Sequence, residues 1–159
     1  MEQRELSFEE TREKALRLLE FRSHSERELA LKLKRAGARA EHIEAVLEYL
    51  RQYGLVDDAA YAKRAAADLK NLKKFGKRRI RAELKNRGIA SELAEEALAE
   101  LEDEEAKALL PLVEKKLAGN FARKNVEKCI RYFAYRGYGY DDIKACIEQI
   151  KGEEAWDIT

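Results

Sequence analysis

Residues 73–89, KKFGKRRIRAELKNRGI, hold eight Lys or Arg and a single acid, Glu83, in a chain whose net charge is only +1. Cations at this density recognise anions, either the phosphates of a nucleic-acid backbone or the carboxylates of an acidic protein surface. If the segment is helical, Lys74, Arg78, Arg81 and Lys85 share one stripe about 110° around the axis from Ile80 and Leu84. With Lys73, Lys77 and Arg87 they make up the candidate partner- or DNA-binding set. Other chemistry finds less support. His24 and His42 lack metal-ligand spacing with Cys129 and Cys146 and read as turn or surface residues. The glycines stand singly rather than in a phosphate-cradling loop, and GYG at 137–139 reads as a turn. Carboxylates are so numerous that no pair stands out. The expectation is no catalytic residue, no metal ligand and no cofactor.

Two further segments bear on binding. RYFAYRGYGYDD (131–142) interleaves aromatic rings with Arg131 and Arg136. Tyr135, Tyr138 or Tyr140 either stack on bases or on a partner's Arg, or seal the end of the fold. ELAEEALAELEDEE (92–105) has eight acids and no base. It is a solvated helix face and linker, or a holder of cations from a neighbouring repeat or a partner.

Internal repetition says what must position these residues. Shifted by 51 residues, Leu29, Leu33, Gly37, Ile43, Val46, Leu47 and Leu50 fall on Ile80, Leu84, Gly88, Ala94, Ala97, Leu98 and Leu101. Shifted by a further 49, they fall on Cys129, Phe133, Gly137, Ile143, Cys146, Ile147 and Ile150. In each copy the pair four apart marks a buried helix stripe, and the following Gly sits where a helix ends in a left-handed residue. The remaining positions outline a second amphipathic helix. Ser25, Gly76 and Asn125 are equivalent helix starts, with Ser25 and Glu28 forming a capping box. Glu41, Glu92 and Asp141 each put a carboxylate in a first turn.

A further helix precedes each pair. The first spans about 8 to 22, opened by Ser7 and Glu10, with Ala15, Leu18 and Leu19 inward. The second spans about 58 to 72, with Tyr61, Ala65 and Leu69 inward. The third spans about 104 to 118, where Pro111 predicts a kink or a fresh start. The fold expected is all-α: three tandem three-helix repeats, 8–56, 57–102 and 103–152, stacked into one elongated, curved array. No sheet is expected. Cys129 and Cys146 replace apolar core residues and should be buried, reduced and unpaired.

Composition agrees. The 159 residues are 45% hydrophobic and 40% charged with one Pro, dominated by good helix formers. The opening MEQRELSFEETREK is charged where a secretory signal needs an apolar run, and ALLPLV (108–113) is too short to span a bilayer. Two Cys make no disulfide framework. A cytoplasmic monomer with no membrane contact is expected.

SERELALKLKRAG (25–37), GLVDDAAYA (54–62), FGKRRIRAELKNRGI (75–89) and RGYGYDDIKACI (136–147), in that order and spacing, resemble the RecX family of bacterial RecA regulators. The resemblance covers residues 10 to 150. Lys77 stands where the family often has Pro, a harmless exchange at a first helical position. The family's fold is three tandem three-helix repeats. The resemblance implies a protein that binds RecA filaments on single-stranded DNA, lies along their helical groove and bridges protomers. It would thereby restrain strand exchange, ATP hydrolysis and co-protease action. Direct contact with single-stranded DNA is also implied for some relatives. The alternative from another class is a DNA-binding protein whose helix-turn-helix-like repeats push residues 76–87 into a groove.

Overall fold

The computed structural model describes residues 4–101 and 105–157, and within them nine helices. These are α1 Phe8–Phe21, α2 Glu26–Arg35, α3 Ala40–Gln52, α4 Asp58–Asn71, α5 Lys77–Asn86, α6 Ser91–Glu100, α7 Glu105–Leu117, α8 Arg123–Tyr135 and α9 Tyr140–Asp157. The described residues contain no strand, only a lone bridge between Leu6 and Ala38. The fold is all-helical, as the 3.6-residue periodicity requires. The expected boundary at 102/103 and part of the acid-rich run lie outside the described residues.

Local chemistry sets the helix ends. Ser7 with Glu10 and Ser25 with Glu28 form reciprocal capping boxes ahead of α1 and α2. Gly37, Gly88 and Gly137 close α2, α5 and α8 at φ +102°, +84° and +100°, a region in which a side chain strains the backbone. Two expectations need correction. Asn125 does not start α8, which begins at Arg123 behind Ala122. The Asn125 side chain instead donates to the carbonyls of Leu117 (3.2 Å) and Asn120 (2.8 Å), tying down the α7–α8 turn. Pro111 does not open a new helix; it sits inside α7, which runs unbroken from Glu105 to Leu117.

The chain forms two compact units, Met1–Ala65 with Glu83–Ala97 and Ala66–Ala82 with Leu98–Thr159. The first is built around Leu29, Leu33, Ile43, Val46, Leu47 and Leu50, with Leu18 and Leu19 packed against this core. The second is built around Leu109, Val113, Leu117, Cys129, Phe133 and Ile143, joined by Cys146, Ile147 and Ile150. Cys129 and Cys146 are buried free thiols, and burial pushes both thiol pKa values up.

Each unit contains the same hand-off between successive helix triplets. In the first, the Ser25 hydroxyl donates to the Arg87 carbonyl at 2.5 Å, and Asp58 Oδ1 accepts from the Glu26 N–H at 2.9 Å. In the second, the Gly76 N–H donates to the Arg136 carbonyl at 2.8 Å, and Glu105 Oε1 accepts from the Lys77 N–H at 2.6 Å. Ser25 and Gly76 occupy one repeat position, and Asp58 and Glu105 each begin the next helix. The leading helices keep register through Thr11, Ala62 and Leu109 and through Ala15, Ala66 and Val113, all buried. In this way the first turn of α2 and of α5 receives a carboxylate, which complements its dipole.

Candidate functional site

The basic stretch begins in the α4–α5 connection, which is held from three sides. The Phe75 N–H reaches back to the Leu69 carbonyl at 3.1 Å, closing α4. Lys73 offers its carbonyl to the Arg136 guanidinium. Lys74 sits at φ +59°, and its carbonyl accepts from the Tyr138 hydroxyl at 2.8 Å. A non-Gly residue is held in that region only when its surroundings over-determine it. Here two hydrogen bonds from beyond α8 do so, leaving the Lys73 and Lys74 side chains in solvent.

Of the seven residues singled out from sequence, Lys73, Lys74, Arg78, Arg81 and Lys85 are exposed. Arg78, Arg81 and Lys85 ride on α5, whose inward positions Ile80 and Leu84 are buried; Lys74, expected on the same helical stripe, instead precedes α5 with a left-handed backbone. Lys77 is half-buried at the first position of α5, its N–H on Glu105. Arg87 belongs to the first unit and is also half-buried. Its Nη1 donates to the Tyr61 hydroxyl at 3.4 Å, and Tyr61 donates in turn to Glu28 Oε1 at 2.6 Å. Arg22 adds an ion pair to Glu28 at 3.0 Å. Burial tends to raise the Glu28 pKa, but hydrogen bonds from Tyr61, Arg22 and the Ser25 N–H outweigh it and hold the carboxyl below its usual value.

Spacing alone missed the organising cation of the second unit, Arg79. Its guanidinium lies 4.8 Å from the ring centroids of both Phe75 and Tyr135, and Nη1 donates to the Tyr135 carbonyl at 3.2 Å. Arg136 lies 5.1 Å from Phe75 and 5.3 Å from Tyr132, and Lys116 lies 4.1 Å from Tyr132. Cations and rings alternate from Lys116 to Tyr135 in an unbroken ladder. The signal was present as Phe75 and Arg79 four apart, and Tyr132 and Arg136 four apart. What it lacked was any hint that the two pairs meet.

The aromatic segment divides its labour. Tyr138 is 4% exposed and its ring packs edge-on against Phe133, so it seals the core. Tyr135 is 74% exposed, and Tyr140 also reaches solvent. Below Tyr132, a hollow of about 370 Å³ gathers Lys74, Lys115, Lys116 and Arg136 around Leu112 and Phe133. The second unit therefore carries the exposed cations Lys73, Lys74, Arg78 and Arg81 together with Lys115 and Lys116 of α7, while Lys85 belongs to the first unit. Among the described residues no cluster of three or more His, Cys, Asp or Glu is able to hold a metal ion. His24 is buried, between the Arg22 carbonyl and Lys32. His42 faces the Leu6 carbonyl.

Fold and surface together define a helical protein of tandem three-helix domains with a basic face. Residues 12–50 match the family model of the first three-helix domain of RecX, and residues 57–98 match that of the second. The Regulatory protein RecX of Clostridioides difficile (strain 630) is 32% identical over 149 residues, covering 91% of this chain and 70% of that protein. The Regulatory protein RecX of Vibrio campbellii is 34% identical over 135 residues, covering 84% and 86%. The crystal structure of RecX from Lactobacillus salivarius superposes with a TM-score of 0.80 at 22% identity, covering 91% of this chain and 96% of that one. This chain belongs to the RecX family. No helix among the described residues is long and apolar enough to cross a membrane.

Proposed function

We propose that this protein binds RecA assembled on single-stranded DNA and modulates its recombinase, ATPase and co-protease activities, mainly by inhibition. It acts by occupancy, as a cytoplasmic monomer without catalytic chemistry or cofactor of its own. Family membership supplies the class of target. The carrying observation is the exposed run of Lys73, Lys74, Arg78, Arg81 and Lys85, charge that the fold does not require. The positions of Arg78, Arg81 and Lys85 hold Arg27, Ala30 and Lys34 in the first repeat and Glu127, Ile130 and Ala134 in the third. Like charges four apart cost a few tenths of a kcal/mol on a helix, so a face kept only for solubility has no reason to concentrate them. The cations face carboxylates of RecA, phosphates of its bound DNA, or both. The division into repeats 8–56, 57–102 and 103–152 belongs to the same proposal.

A reading in which α5 enters a DNA groove end-on has less support. The Glu105 carboxylate already accepts the first N–H of α5 at 2.6 Å, and a fixed anion there repels phosphate. The test is RecA ATPase on single-stranded DNA with increasing amounts of this protein, alongside co-sedimentation with the filament. Binding with a fall in ATP hydrolysis is expected. Unchanged hydrolysis and no co-sedimentation overturn the proposal.

A further inference from the structure

The leading helices of the three repeats part company at one inward position. With Thr11, Ala62 and Leu109 in register, Leu18, Leu69 and Lys116 are equivalent. Leu18 packs against the first core and Leu69 is buried, whereas Lys116 is exposed. An ammonium does not replace Leu in a core, because burying an unpaired charge is costly. The Lys116 Nζ instead stands 4.1 Å from the ring centroid of Tyr132, and the Arg136 guanidinium stands 5.3 Å from the same ring. There the hollow of about 370 Å³ opens, with Leu112 and Phe133 under Lys74, Lys115, Lys116 and Arg136. All of these residues belong to the second unit.

The lining says what fits. Among the described residues no carboxylate lines the hollow, and none pairs with Lys74, Lys115 or Lys116. Lys115 and Lys116 ride the last turn of α7, about 15 Å along its axis from Glu105. Arg136 spends Nη2 on the Lys73 carbonyl and has further N–H donors. Four cations around one hollow suit an anion whose charges are equally close together. A nucleic-acid strand brings one phosphate charge per nucleotide, which suits the drawn-out row of Arg78, Arg81 and Lys85 better. A chain of linked phosphates brings several charges to one place. Beside the cations, Tyr132 is 40% exposed and offers a ring on which one base can rest. The volume lies near the lower end of the range for ligand pockets.

We propose that the hollow between α7 and α8 binds a nucleoside polyphosphate. Its phosphate chain lies among Lys74, Lys115, Lys116 and Arg136, and its base lies against Tyr132. This goes beyond the reading above and does not depend on it, since the ligand is a free nucleotide rather than a filament.

The test uses the full chain and ATP carrying a fluorescent label on its ribose, read by anisotropy with no RecA present. Saturable binding is expected, weakening as salt rises. Lys116→Leu restores the residue of the other two repeats. It is expected to keep or raise Tm while weakening nucleotide binding about tenfold or more. Lys14→Gln, which removes an exposed cation from the first unit, leaves binding unchanged. Unlabelled tripolyphosphate displaces the nucleotide, and AMP does so about tenfold less well than ATP. Tyr132→Leu weakens ATP binding and leaves that of tripolyphosphate in place. Equal affinity in wild type and Lys116→Leu overturns the proposal, as does the absence of saturable binding. So does displacement by oligothymidylate at a lower nucleotide concentration than by ATP, an outcome that assigns the hollow to a nucleic-acid strand.

Discussion

The first and second hand-offs bond the same positions, a donor at Ser25 or Gly76 to a carbonyl and a carboxylate at Asp58 or Glu105 to an N–H, and differ in nearly everything else. Around Ser25 and Arg87 the side chains form a polar network, in which the Glu28 carboxylate gathers the Tyr61 hydroxyl, Arg22 and the Ser25 N–H. Around Gly76 and Arg136 they form the cation–ring ladder, with the cationic hollow beside it. A repeat needs only the shared part, two hydrogen bonds and one left-handed glycine. The side chains around it can then be used for stability in one place and for recognition in another.

The largest effect is expected where that shared part is struck. A Cβ at Gly137 meets the backbone of Arg79, whereas one at Gly88 meets the Arg27 side chain. Both positions have positive φ, so both alanine variants are strained by about 1–2 kcal/mol. Gly137→Ala meets the Arg79 main chain itself, at N and Cα, whereas Gly88→Ala meets Arg27 from Cβ outward, part of which can swing away. Thermal unfolding should show Gly137→Ala as clearly the worse of the two; equal losses break the distinction. Ile80→Ala or Leu84→Ala, at fully buried sites, should each cost about 2–5 kcal/mol.

Exchanging the two hand-offs sharpens the contrast. Ser25→Ala removes the bond to Arg87 and the cap on Glu28, a loss of about 1–2 kcal/mol. Gly76→Ser supplies the same hydroxyl in the second unit, yet a Cβ there lies 2.5 Å from the Gly137 carbonyl oxygen. Denaturant titration should therefore find Gly76→Ser destabilised rather than improved. Arg79→Ala, which empties a site between two rings, should cost about 1–2 kcal/mol through lost cation–ring contact.

These residues also show what a sequence can and cannot display. Ser7, Ser25, the buried pairs four apart and the left-handed glycines are local signals: each acts within one turn of its own helix, and each was legible. The Glu105 cap on α5 and the grip of Arg136 and Tyr138 on the α4–α5 connection were not, because the partners lie far apart in sequence. Asn125 misled for the same reason. Its type suits a cap, but the α7–α8 turn offered it two carbonyls. The exposed cations were found from the repeat, since only comparison of equivalent positions separates charge the fold requires from charge it does not.

A smaller effect distinguishes the hand-offs by pH. Burial first, then the Arg22 and Lys32 charges, lowers the His24 pKa below 6.5. The unfolded chain thus takes up a proton before the folded one does, and stability must fall as pH drops through about 6.5. Glu28 acts in a separate, lower window: its depressed pKa gives stability above its unfolded value of 4.5, lost as pH falls through the folded value. His24→Gln should flatten the stability profile between about pH 7.5 and 5.5 and leave the acid limb in place. An unchanged profile removes His24 from the account.

The most direct test joins stability and binding in one variant. Lys74→Asn, Arg78→Gln, Arg81→Gln and Lys85→Gln together remove four charges from exposed side chains, so Tm should stay within the effect of about 0–1 kcal/mol expected of exposed pairs. Inhibition of RecA ATPase on single-stranded DNA at physiological salt should weaken markedly, and its dependence on salt should become shallower. A variant that inhibits as strongly as wild type contradicts the account and reduces the basic face of α5 to a solvated surface.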